Sequence, residues 1–121
     1  MSNLGWVMTE VKTLQSAAVA TGNGTALDVK GFSAVCCQIL GITTATVTFE
    51  VTLDDTNWVA IQTVNETDGS VATTAAANGI FIIPTIGKSQ FRARISAWTS
   101  GTLYVYARAV TISPGVAIAR S

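Results

Sequence analysis

Asp54 and Asp55 are the only adjacent carboxylates in the chain, and Cys36 and Cys37 its only cysteines. Paired carboxylates can share the acid and base work of glycoside hydrolysis, but consecutive residues in a turn point apart. The common use of aspartates there is Asx hydrogen bonding. Asp54, Asp55 and Asn57, or Glu66 with Asp68, fall short of the acidic density of a calcium loop. Cys36 and Cys37 are neighbours that point to opposite faces of a strand, so they cannot bridge each other without distortion, and they read as small apolar fillers. No histidine is present to complete a triad or a metal site. Lys12, Lys30 and Lys88 sit in no local Ser–Lys signature, and Thr21-Gly22-Asn23-Gly24-Thr25 is too short for a phosphate loop. No enzyme, metal or cofactor is therefore expected.

What remains is surface chemistry. Tyr104, Tyr106 and Trp98 fall on the outer side of an alternating pattern, together with Arg92, Arg94 and Arg108. Aromatic residues and arginine are the usual anchors of protein interfaces. Flat rings also stack on sugars, so Trp58, Trp98 and Tyr104 form an alternative glycan set. A second sheet of the same chain could also cover these residues.

Alternation identifies the elements that carry them. In Val47–Leu53, Phe91–Ala97 and Leu103–Ala109 the odd positions are apolar and the even ones polar. Further strands are expected near 11–20, 26–30, 34–40, 58–65, 71–75 and 80–84, separated by Gly, Asn and Asp turns. The expected fold is all-β: an antiparallel, jelly-roll-like β-sandwich of eight or nine short strands. Two hairpins are predicted. A turn at Thr99–Gly101 would set Ile95 opposite Val105, Arg94 opposite Tyr106 and Arg92 opposite Arg108, so an acid should lie near that arginine pair. A turn at Asp55–Asn57, with Asn57 left-handed, would set Leu53 opposite Val59 and Val51 opposite Ile61.

The 121 residues suit one domain, 1–121, large enough to bury a core without metal or disulfide staples. Only 12% of residues are charged and the net charge is zero. That balance excludes a disordered tail and a nucleic-acid-coating protein. Residues 1–68 carry seven acids and two lysines, whereas 69–121 carry five basic residues and no acid. Such a split suits pairing within the domain or between copies. No run approaches the roughly 20 apolar residues of a membrane span, and the start lacks the pattern of a signal peptide. The ends are apolar: an N-terminal arm, 1–10, with Leu4, Trp6 and Met8, and a C-terminal arm, 112–121, with Val116 and Ile118. Exposed on a monomer they would be liabilities, and docked on neighbours they would anchor.

The run Thr46–Ile61, with its Val-Thr-Phe-Glu start and Asp54-Asp55-Thr56-Asn57-Trp58 turn, resembles the "VTFEgSlDGtNWval" hairpin of small β-sandwich proteins in tailed-bacteriophage virions. The resemblance continues through Asn78–Pro84 and Phe91–Leu103 and covers about residues 20–110. Galactose-binding-like sandwiches carry a similar turn, and here Asp55 stands where that pattern has Gly and Thr52 where it has Ser. The resemblance implies a virion structural or accessory role and no catalytic residues. The expected function is a capsid decoration (cement) protein that bridges coat subunits. Its expected partners are the major capsid protein or other virion proteins, with self-association and with neither nucleic acid nor membrane. Its expected place is the virion, after assembly in the host cytoplasm. A glycan-binding module on a head or tail fibre, or a tail or neck ring component, is the alternative.

Overall fold

Valine, isoleucine and threonine favour the pleated backbone, and strands dominate residues 6–112, the part that this computed structural model describes. Ten strands follow in order: β1 (Trp6–Met8), β2 (Lys12–Ala18), β3 (Leu27–Asp28), β4 (Ala34–Thr52), β5 (Trp58–Ala60), β6 (Thr63–Asn65), β7 (Val71–Ala72), β8 (Thr74–Ala75), β9 (Gly79–Pro84) and β10 (Gln90–Ile112). Every pairing is antiparallel. The all-β, antiparallel expectation holds. The expected eight or nine short strands do not: β4 runs 19 residues and β10 runs 23.

These two strands form the spine. They pair from Gln90 opposite Thr52 to Val110 opposite Ala34, with register shifts between Ile95 and Tyr104. Around the first half of β4, β9 pairs with 34–39, β6 with β9 and β7 with β6, while β1 and β2 line the far edge of β10. Around the second half of β4, β5 and β8 pair with 47–52, while β3 and Gly22 line the far edge of β10. Among the connections between strands, the chain crosses from one half to the other at residues 61–62, 73 and 76–78, and again in the segments 19–26, 29–33 and 85–89.

The alternation then decides how the halves meet. Val35, Cys37, Ile39, Val47 and Phe49 of β4 are fully buried, as are Phe91, Ala93, Leu103, Val105 and Ala109 of β10. The same ribbon face is thus inward in both halves. Phe81 on β9, in the first half, lies 5.1 Å from Phe49 in the second, centroid to centroid. Phe49 also stacks with Phe91 at 6.4 Å. One ribbon is folded face to face, giving two layers that share the long strands and bury a common core.

The crease lies at Gly41 and Gly101, with φ of 85° and 116°. A Cβ on Gly41 would stand 1.8 Å from the Thr102 carbonyl oxygen, and one on Gly101 would stand 2.6 Å from the Gly41 oxygen. Glycine permits both the left-handed backbone and this contact.

Both predicted hairpins need correction. Thr99–Gly101 is not a turn, because β10 continues through it and Gly101 forms part of the crease. Arg94 therefore faces Thr48, not Tyr106, and Arg92 faces Glu50, not Arg108. The Arg92–Arg108 pair that called for an acid does not form; Glu50 instead joins Arg92 to Arg94. In the β4–β5 hairpin Val51 faces Val59, a register two residues from the predicted one, and Asp55 rather than Asn57 is left-handed. The cause is Asp54. Its carboxylate accepts from the Thr52 hydroxyl, the Thr56 and Asn57 amides and the Asn57 side chain. That web ends the strand at Thr52 and leaves Leu53 72% exposed.

The same hydrogen bonds, first among them the Asn57 amide, hold the Asp54 carboxyl well below the usual carboxylate range. A carboxyl with a depressed folded-state pKa stabilises the fold above its ordinary value, and that contribution fades as the pH falls below about 4. In acid titrations of chemical stability, Asp54→Asn should flatten the decline below about pH 4 and lower stability at neutral pH. An unchanged acid slope would remove Asp54 from that role.

Candidate functional site

The folded ribbon has two outer faces, and the sequence gives them different chemistry. On the first layer the register sets Tyr104 beside Leu40, and Tyr106 beside Gln38 and Ile80. The next row sets Arg108 beside Cys36 and Ile82, with Val64 beyond. The two tyrosine rings stack at 6.4 Å with planes 14° apart. Leu40, Ile80 and Val64 are each about two-fifths exposed, at 40%, 38% and 40%. The result is an aromatic and aliphatic sheet face that the described residues leave partly uncovered. An open groove of about 260 Å³ runs across it between Val11, Ile80 and Tyr106.

Arg108 sits at the edge of this groove. Its Nη1 meets the Met8 sulfur at 2.9 Å, a weak acceptor, and its Nε is buried without a partner among the described residues. An arginine held this way lacks a strong acceptor, which a docked partner can supply. Cys36 lies beside it, half-buried. Burial first and Glu66 second push its thiol up, while Arg108 opposes them. Burial pushes Cys37 up further. Neither cysteine is poised as a thiolate nucleophile at neutral pH.

The outer face of the second layer is ionic. Three cross-strand rows form a grid: Thr74, Thr48 and Arg94; Ala60, Glu50 and Arg92; Trp58, Thr52 and Gln90. Glu50, at the centre, is buried to 7% exposure. One of its oxygens accepts from Arg92 Nε at 2.7 Å and the other from Arg94 Nε at 3.1 Å. The Arg92 guanidinium lies 4.2 Å from the centre of the Trp58 ring.

The single cluster expected from the sequence is therefore divided. Tyr104, Tyr106, Arg108 and Met8 share the first outer face, and Arg92, Arg94 and Trp58 share the second. Trp98 belongs to neither. The register shifts at the crease turn it partly onto the core, and its Nε1 donates to the Gly101 carbonyl at 3.0 Å. The proposed glycan trio of Trp58, Trp98 and Tyr104 is thus spread over three regions. Trp6 pairs by its backbone with Ile112, so part of the expected N-terminal arm is strand β1. Leu4, Val116 and Ile118 lie outside the described residues. Leu40, Val64 and Ile80 were missed, although Ile80 and Leu40 fall on even positions flanking buried odd ones. A further open groove, about 520 Å³, lies at the β4–β5 loop between Leu53, Val59, Ile61 and Lys88. Asp55 accepts from Ser89 and Gln90 there, a turn-binding use. Among the described residues no group of three or more His, Cys, Asp or Glu could hold a metal ion.

A family model described as XepA matches residues 8–109. No curated protein matches the chain. Two solved structures share its fold. The PBSX exported protein XepA superposes with a TM-score of 0.82 at 20% identity, over 88% of this chain and 38% of that one. The SPBc2 prophage-derived protein YomS superposes with a TM-score of 0.76 at 18% identity, over 88% of this chain and 95% of that one. The chain thus spans less than half the length of XepA and matches nearly the whole of YomS.

Proposed function

The chain belongs to the XepA family, and on that premise we propose that it is a non-enzymatic structural protein of a tailed-bacteriophage particle. The likeness to a prophage-derived protein supports the phage origin. The observation that carries the structural reading is the first outer face, where stacked Tyr104 and Tyr106 share a sheet surface with partly exposed Leu40 and Ile80, and Val64 lies further along the Arg108 row. An uncovered patch of this kind suits a protein partner, with Arg108 at its edge to receive an acceptor. The partner is a coat subunit or another virion protein, and the role is capsid decoration. A stiff sandwich bridges neighbouring subunits, and many weak identical contacts add up by multivalency. Self-association on the particle surface belongs to the same reading.

The test is quantitative mass spectrometry of purified phage particles. Copies in the hundreds, released together with head fragments, support decoration. A handful per particle would move the protein to the tail or neck, and absence from particles would overturn the virion role.

A further inference from the structure

We infer that Arg92 and Arg94 form a receptor for an oxyanionic group, a carboxylate or sulfate carried by a saccharide, on the outer face of the second layer. Alternate residues of one strand point to the same side, so the two guanidinium groups stand next to each other. Glu50 takes only their Nε–H groups, one on each oxygen. No hydrogen bond within the described residues engages their terminal nitrogens. The buried carboxylate holds both side chains and the Trp58 ring covers the Arg92 guanidinium before any ligand arrives, leaving a guanidinium pair with a net charge of +1, Arg94 36% exposed and Arg92 17%. Prepaid ordering of this kind is what makes arginine forks strong oxyanion binders.

The surroundings favour a sugar acid. Exposed Thr74 and Ala60 end the same rows, one strand beyond Thr48 and Glu50, and the half-buried Trp58 ends the next row. About 10 Å, two strand spacings, from the arginines, they offer a hydroxyl and a small apolar residue to the body of a saccharide whose acid group sits on the forks. The broad apolar strip that a peptide needs lies on the opposite face of the protein.

The experiment is NMR titration of the whole labelled protein, read at the arginine Nε–H signals. The probes are glucuronate, acetate, inorganic sulfate, glucose and a polyglutamate peptide, each against sodium chloride at matched ionic strength. Saturable shifts at Arg92 and Arg94 with glucuronate, at an affinity about tenfold above acetate and with no response to glucose, are expected. Sulfate binding as tightly as glucuronate would keep the oxyanion receptor and overturn the saccharide. Tighter binding of polyglutamate would also overturn the saccharide. Chloride-like responses throughout would overturn the receptor itself.

Two variants separate a built site from simple positive charge. Glu50→Gln raises the net charge but frees the forks, so affinity for glucuronate should fall about fivefold. A rise would overturn the inference. Arg94→Lys keeps both the charge and the Glu50 pairing of Arg92 while removing one fork, and it should weaken binding by a similar factor without unfolding risk from an unpaired carboxylate. Unchanged affinity in Arg94→Lys would equally overturn it. The particle experiment above does not depend on these outcomes.

Discussion

Gly41→Val should leave no stably folded protein. The new Cβ would meet the Thr102 carbonyl oxygen at 1.8 Å, a backbone atom that cannot swing aside. The residue would also keep a φ of 85°, where a β-branched side chain is strongly disfavoured. Relief requires the two long strands to separate at the crease, and the shared core opens with them. The expected cost is at least about 4 kcal/mol, a large part of the stability of an ordinary domain. Gly69→Ala is the matched control. Its φ is 76°, but nothing lies within 4 Å of the added carbon, so only the backbone preference of about 1 kcal/mol is lost. Soluble yield and the urea midpoint read both effects. Equal midpoints for the two variants would show that the crease is not a point of close contact.

Replacing Tyr104 and Tyr106 together by Ser should cut association with phage particles by about a hundredfold. Two central aromatic anchors at about 1.5 kcal/mol each give that factor. The fold should survive, because both rings stand on the outer face and the neighbouring core positions, Leu103, Val105 and Ala107, are untouched. Sedimentation with particles that lack the native protein measures the loss, and circular dichroism checks the fold. Arg94→Lys, on the opposite face, should bind particles like the parent. Particle binding unchanged in the tyrosine double variant would move the docking surface elsewhere on the molecule.

Local pattern was readable in the sequence and its continuation through space was not. Val47, Phe49 and Val51 alternate with polar neighbours, as do Phe91, Ala93 and Ile95, and all six are buried as their parity requires. Period-two patterning reports which side of a strand is inward. It does not report whether Ser100 and Gly101 turn the chain back or let it continue with a bend. A glycine serves either geometry, and the deciding partner, Gly41, lies 60 residues away in sequence. Continuing β10 through the crease then sent Arg92 and Arg94 to one layer and Tyr104 and Tyr106 to the other. The β4–β5 turn shows a smaller version of the same limit. A five-residue loop and a three-residue loop place the same faces inward, and only the hydrogen bonds to Asp54 choose between them. The ion triad was not legible: an acid was expected beside an Arg92–Arg108 pair that does not form, and the Glu50 link between Arg92 and Arg94 follows only from the register.

The antiparallel pairing of Trp6 with Ile112 has a mechanical consequence. Tension applied at these two points would peel β1 from β10 rung by rung, each hydrogen bond failing alone, whereas strands loaded lengthwise in opposite senses share the force among all their bonds. If the molecule decorates a shell as proposed, that shell would gain little from tugging on these two points. Its resistance to bursting would come from grips spread across the broad flanks.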